Sequence, residues 1–228
     1  MQQHFSEQVE KLKTNLVKMA SLVDEQVERA IKALETGDIE LCKGMKAKDL
    51  EIDEYDNLIQ SQGENILALF QPVAVDLRFI ISALMINNQL ERCGDIAVNI
   101  SQRVKKVGNQ HPLVIESHII EMGRKAKEML KNAIDSFIHN DTALANEVRK
   151  NDEEVDKLNK EIFRFLIAKM RSSPELIEPS AHLIVLTRHI ERLADHSTNI
   201  AENLVFYVDA KIVTHQWKLS KEKKDEGQ

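Results

Sequence analysis

The chain has 228 residues but only seven Gly and four Pro. A β-rich protein of this length needs many turns, and turns draw on Gly, Pro, Asn and Asp. Their shortage, beside abundant Ala, Leu, Ile, Glu and Lys, argues for long helices. Cysteine is scarce too. Cys42 and Cys93 read as helix residues, which excludes a disulfide framework. No apolar run reaches the ~18 residues that a membrane-spanning helix needs. No signal-peptide h-region is read at Met1-Gln2-Gln3-His4-Phe5, so the expectation is a soluble, reduced, cytoplasmic protein. The net charge of -6 disfavours broad binding to nucleic acid or to an anionic membrane. Catalytic signatures are missing as well: there is no Gly-rich phosphate loop, no His-Glu-x-x-His and no nucleophile elbow. Nor is there the Glu-x-x-His of ferritin-like di-iron bundles. The expectation is a protein that is not an enzyme.

What is present is helical periodicity. Phe5, Val9, Leu12, Leu16, Met19, Val23, Val27, Ile31 and Leu34 recur at steps of three and four, one apolar stripe of a long amphipathic helix. Gly37 ends it and Asp38 caps a second helix, which runs to about Phe70 with Ile52, Tyr55, Ile59, Ile66 and Leu69 on its buried face. Pro72 fits the first turn of a third helix, ending near Val107. Gly108, Asn109 and Pro112 form the clearest break. The programme then repeats. Ile119, Met122, Ala126, Met129, Ala133 and Phe137 mark a fourth helix, Asn140-Asp141 a turn and cap, and Leu144 to Phe165 a fifth helix. Ser172-Ser173-Pro174 and Pro179 mark another turn, and a sixth helix reaches about Val213. The reading is all-α: two tandem three-helix bundles of long antiparallel helices related by pseudo-symmetry, over residues 1–108 and 109–216, with a disordered tail at 217–228.

A carboxylate pattern occurs once in each half. Glu91-Arg92-x-x-Asp95-x-x-x-Asn99-Ile100 returns as Glu191-Arg192-x-x-Asp195-x-x-x-Asn199-Ile200, a shift of 100. Asp49-x-x-x-Asp53 returns as Asp152-x-x-x-Asp156, a shift of 103. The i, i+4 spacing puts both acids of a pair on one helix face, about 6 Å apart. Asp53 precedes Pro72 by 19 residues and Glu91 follows it by 19, so antiparallel packing brings the two pairs to one height. Four carboxylates at one level repel unless protonated or neutralised by a cation. An oxygen-only donor set suits Mg²⁺, Ca²⁺, Mn²⁺ or iron better than zinc. Asp49, Asp53, Glu91, Asp95, Asp152, Asp156, Glu191 and Asp195 are therefore the candidate metal ligands. The competing reading makes them solvated helix positions and both Glu-Arg neighbours surface ion pairs. His189 and His196 share a face but have Gln89 and Ile96 as counterparts, and read as partly buried or solvated histidines. Trp217 reads as a terminal anchor; Met19, Met122, Met129 and Met170 read as core.

At these residues the chain resembles the PhoU family, accessory proteins of phosphate-specific transport. The likeness covers nearly the whole chain. It is carried by His4-Phe5 to Leu34, Pro72-Val73-Ala74-x-Asp76-Leu77-Arg78-Phe79-Ile80, Leu90-Glu91-Arg92-x-Gly94-Asp95-x-Ala97-x-Asn99-Ile100, and Glu191-Arg192-x-x-Asp195-His196-x-x-Asn199-Ile200-Ala201-Glu202. The resemblance implies multinuclear metal sites on the four acidic pairs, described with iron and compatible with Mn, Mg, Ca or Zn. In the first copy Ile96 stands where the family often has His, and Gln102 where it often has Glu. It further implies a homodimer and a negative regulator of phosphate uptake and starvation signalling. Such a regulator docks between the phosphate transporter's ATPase subunit and a sensor histidine kinase, and meets the membrane only through those partners. The alternatives are a carboxylate-bridged metal oxidoreductase and a metal-free helical scaffold.

Overall fold

The computed structural model describes residues 2–107 and 111–213. Trp217 and the tail from 217 lie outside the described residues. Among the described residues seven α-helices carry the fold: α1 (Gln2–Thr36), α2 (Met45–Phe70), α3 (Ala74–Val107), α4 (His111–Glu116), α5 (Ile119–His139), α6 (Thr142–Ser172) and α7 (Ile177–Asp209). Among the described residues there is no strand. α1, α2 and α3 pack together as one three-helix bundle, and α5, α6 and α7 as the other. The halves meet where α3 lies along α7 and α1 along α5.

The sequence dictates most of this locally. All nine α1 stripe residues belong to the core: Leu12, Leu16, Met19, Val23, Val27, Ile31 and Leu34 are buried in it, and Phe5 and Val9 pack on its edge. Gly37 takes a left-handed φ of 71°, and its N–H bonds back to the Ala33 carbonyl at 2.9 Å. Asn140 takes φ 54° at the equivalent turn. Asp141 then accepts from the N–H groups of Ala143 and Leu144, both at 3.0 Å, which caps α6.

Several expectations need correction. Asp38 caps only a short 3-10 turn, Ile39–Cys42. The long second helix starts later because Gly44 turns left-handed at φ 72°. Leu69 is not on the buried face; it is 74% exposed at the tip of the first bundle. Pro72 lies before α3, in a turn flanked by left-handed Gln71 and Ala74. Pro112 and Pro179 sit inside the first turns of α4 and α7, where a missing N–H costs nothing, so there is one more α-helix than the sequence predicts. The last helix ends at Asp209, not Val213. Met19, Met122 and Met129 are core as expected, while Met170 is half-buried. Cys42 and Cys93 are buried free thiols, and burial raises both thiol pKa values.

The α3–α7 seam is antiparallel. Arg78 Nε donates to the Tyr207 carbonyl (3.3 Å) at one end, and Arg103 Nη1 meets His182 Nδ1 (3.4 Å) at the other. Midway, Gln89 Oε1 accepts from His196 Nδ1 (2.8 Å) and Asn199 Nδ2 (3.1 Å). The Phe79 and Tyr207 rings meet edge-on at 5.3 Å. Burial, then the Arg192 and Arg92 charges, lowers the His196 pKa from its ordinary 6.5 to about 4. The folded protein thus holds this ring neutral where the unfolded chain protonates it. Its contribution to stability is complete above the unfolded value and declines as pH falls from 6.5 toward about 4. His196→Asn keeps a donor for Gln89 and does not titrate. Urea unfolding at neutral and mildly acidic pH should show a smaller acid-induced loss for that variant than for the wild type.

A carboxylate ridge on the paired helices

The first set of acids meets where α2 packs on α3. Ile52, Ile59 and Ile66 of α2 are buried; Ile52 lies over Gly94 of α3, and Leu84 of α3 lies over Gly63 of α2. That apolar contact fixes the register. The acids at its edge then come within electrostatic reach of one another. Burial first, then the Asp95 and Asp53 charges, pushes the Asp49 pKa up, against a lowering hydrogen bond from Gln26. Burial likewise raises Glu91, with the Arg92 charge opposing it and Asp95, Asp56 and Asp53 adding to it. Asp56 rises for the same leading reason and is held by Asn87 Nδ2 at 2.6 Å. Asp53 and Asp95 are exposed; Asp49, Asp56 and Glu91 are half-buried.

Two residues that sequence reasoning passed over build this ridge. Gln26 of α1, 1% exposed, donates through Nε2 to Asp49 Oδ1 (2.9 Å) and to the Gly94 carbonyl (3.2 Å). It ties all three helices together under the acids. Gly94 lets α2 approach: a Cβ there would lie 3.1 Å from Ile52 and 3.2 Å from Asp49 Oδ1. A polar residue inside the α1 apolar stripe was the readable signal for Gln26.

Arg92 competes for the same carboxylates. Its Nε lies 3.4 Å from Glu91 and its Nη1 3.9 Å from Asp95. Among the described residues no group of three or more His, Cys, Asp or Glu side chains is arranged to hold a metal ion. The acids face one another at Coulombic range, and their side-chain positions are not those of a chelate. The donor chemistry nevertheless suits a hard cation: oxygen ligands only, mutually repelling and partly desolvated.

The second set occupies the matching places on α6 and α7 with different neighbours. Asp152 is 2% exposed, Asp156 and Asp195 are half-buried, and Glu191 is engaged by Arg188 Nη1 at 2.6 Å. Met129 stands where the first half has Gln26. A further pair appears that the sequence did not reveal: Arg149 Nε lies 3.7 Å from Glu202, which is 6% exposed. Arg149 also donates to Asn146 Oδ1 (2.8 Å) and to the Val213 carbonyl (3.2 Å). His189 is half-buried and its pKa is lowered by burial and then by the Arg103 and Arg192 charges.

A duplicated three-helix unit with an acidic ridge along one helix pair defines a class of tandem helical-bundle proteins. Comparison with known proteins places the chain within it. The family model described as the PhoU domain matches residues 16–104 and again 119–204, so the chain belongs to the PhoU domain family. It is 34% identical over 213 residues, 93% of each chain, to a protein of Caulobacter vibrioides named phosphate-specific transport system accessory protein PhoU homolog. A protein of Aquifex aeolicus with the same name is 36% identical over 209 residues, 92% of this chain and 95% of its own. The crystal structure of PhoU from Pseudomonas aeruginosa superposes with a TM-score of 0.85 at 30% identity, covering 91% of this chain and all of that one.

Gln26→Leu removes the tie beneath the ridge and leaves Asp49 without its neutral donor. It should destabilise the protein by about 1–3 kcal/mol and raise the Asp49 pKa further. Chemical denaturation and carboxyl-selective NMR titration check the two effects.

Proposed function

We propose that this chain is a non-enzymatic, cytoplasmic accessory regulator of phosphate-specific transport. It restrains phosphate uptake and starvation signalling by docking between the transporter's ATPase subunit and a sensor histidine kinase, and it works as a homodimer. The observation that carries this reading is likeness along nearly the entire chain, over both halves, to proteins whose names state that accessory role. A related protein sharing one bundle would support far less, because fold alone hosts many functions. The absence, among the described residues, of any helix long and apolar enough to cross a membrane is consistent with a role exercised through membrane-bound partners.

The reading includes a metal on the ridge. Asp49, Asp53, Glu91 and Asp95 would hold a hard cation in the first half, with Asp56 beside them, and Asp152, Asp156, Glu191 and Asp195 in the second. The cation would supply positive charge where apolar packing has gathered negative charge. The protein's own part is to hold the carboxylates in register and half-dehydrated. In the second half a cation must also displace Arg188 from Glu191. Iron or manganese suits the oxygen donors, magnesium and calcium also do, and zinc suits them least. An oxidoreductase built on the same carboxylates is the alternative, enzymatic reading. It lacks the Glu-x-x-His ligands, and no observation favours it.

Two experiments test this. Asp95→Asn relieves repulsion on Asp49 and Glu91. It should stabilise the metal-free protein slightly, by about 0.5 kcal/mol after solvent screening, and lower the metal retained by protein purified without chelator. Equal metal content in Asp95→Asn, Asp195→Asn and wild type removes the ligand assignment. For the docking role, co-purification with the ATPase subunit and the kinase from phosphate-replete cells should recover both, and recovery of neither rejects it.

A further inference from the structure

The duplication supplies an internal control. A function carried by only one half stands out as a departure from the other half on the same scaffold. The clearest departure lies in the outer groove between α6 and α7, a cleft of about 580 Å³. Its floor is apolar, made by Phe163, Ile184 and Val185. Phe163 is 48% exposed, a large ring left open to solvent. Its walls carry Lys160 and Arg164 on α6, and Arg188 and Arg192 on α7. No Asp or Glu lines the cleft among the described residues. Four cations around one apolar groove, only Arg188 of them ion-paired in the site described above, with Glu191, are unusual in a chain of net charge -6.

The fold does not require them. Shifted by 103 on α2, Lys160, Phe163 and Arg164 correspond to Asn57, Gln60 and Ser61. Shifted by 100 on α3, Arg188 corresponds to Asn88, and of the four cations only Arg192 has a basic counterpart, Arg92. The core beneath is alike in both halves: Ile162 matches Ile59 and Ile190 matches Leu90, all buried. One half keeps the bundle with Asn57, Ser61 and Asn88 in place of three of the cations and Gln60 in place of the Phe163 ring, so these four residues of the other half answer to something besides folding. The cleft also contains an unsatisfied group: His189 Nδ1 is buried and has no hydrogen-bond partner.

We propose that the α6–α7 groove is a docking site for an acidic amphipathic helix of a partner protein. Along α7 the groove runs from Ile184 to Arg192, about 12 Å or two helical turns. Lys160 and Arg164 are four residues apart, and so are Arg188 and Arg192, so each wall offers a cation once per turn. A helix laid in the groove with an apolar stripe downward meets the Phe163 floor. Its carboxylates on both flanks meet the cations, and the seated helix turns the three-helix unit into a four-helix bundle. A bilayer is flat and does not enter a concave groove. A free phosphate needs donors converging on it, and here the interior is apolar with charge on the walls. Arg188 also bonds Glu191 of the carboxylate ridge, but Lys160, Phe163 and Arg164 are not ridge ligands, so the groove and its test stand whether or not the ridge binds metal.

The test uses the full chain and a fluorescent 20-residue synthetic helix with a Leu/Phe stripe flanked on both sides by Glu. The same peptide with Lys for Glu, ATP, and anionic lipid vesicles serve as competing probes. The Glu peptide should bind with an affinity that falls as salt rises, while the Lys peptide does not. Lys160→Glu with Arg164→Glu should weaken the Glu peptide at least tenfold with unchanged circular dichroism. Asn57→Glu with Ser61→Glu, the matching change in the first half, should leave it unaffected. Phe163→Gln with Arg164→Ser installs residues the first-half scaffold already carries, so it tests the groove if the charge reversal fails to fold. No binding of the Glu peptide, or binding that neither groove variant weakens, overturns the proposal. So does binding of ATP or vesicles that the groove variants abolish while the peptide stays unbound. Asp95→Asn should bind the peptide normally, which separates failure here from failure of the metal reading.

Discussion

Apolar packing between α2 and α3 holds like charges against their mutual repulsion, and the character of the site depends on it. Each buried Ile, Leu or Val side chain contributes about 1.5–3 kcal/mol, and the α2–α3 contact buries several. Screened repulsion between partly exposed carboxylates is worth well under that per pair. The hydrophobic term therefore wins, and Asp49, Asp56 and Glu91 are left with raised pKa values. Gln26 and Arg92 offset part of the strain from below and from the side. What remains is a ridge that gains from a proton or a cation.

Most of the fold was legible because its signals are local and long. The α1 stripe, the Gly37 and Asn140 turns and the Asp141 cap each lie within one or two turns of the residues they govern. The errors came where tertiary context overrode a local rule. Leu41 and Met45 continue the apolar period across Gly44, so the sequence hides the break that Gly44 makes with its left-handed backbone. Pro179 looks like a turn residue, yet the first turn of a helix tolerates it. Leu69 keeps the helical period, yet at this end of α2 it is Phe70 that packs on His4 and Phe5 of α1, and Leu69 is left exposed.

The ridge itself was partly legible. Spacing alone predicted that Asp53 and Glu91 would reach one height, and the Asp53 charge does reach Glu91. Sequence did not reveal how differently the second copy is furnished. Arg149 and Glu202 are 53 residues apart and pair only through the packing of α6 on α7. The α6–α7 cations each resemble a solvated helix position when taken singly; they stand out once Asn57, Ser61 and Asn88 are set beside Lys160, Arg164 and Arg188. Duplication lets one half hold the architecture while the other varies.

The most direct measurement is the ionisation of the ridge itself. Carbon-13 NMR titration of the side-chain carboxyls of metal-free protein should find Asp49 and Glu91 titrating above the ordinary Asp and Glu values, and both should drop on addition of a divalent cation. Carboxyls that titrate at or below their ordinary values, unmoved by cation, would contradict the claim that packing holds repelling charges together in readiness for a positive ligand.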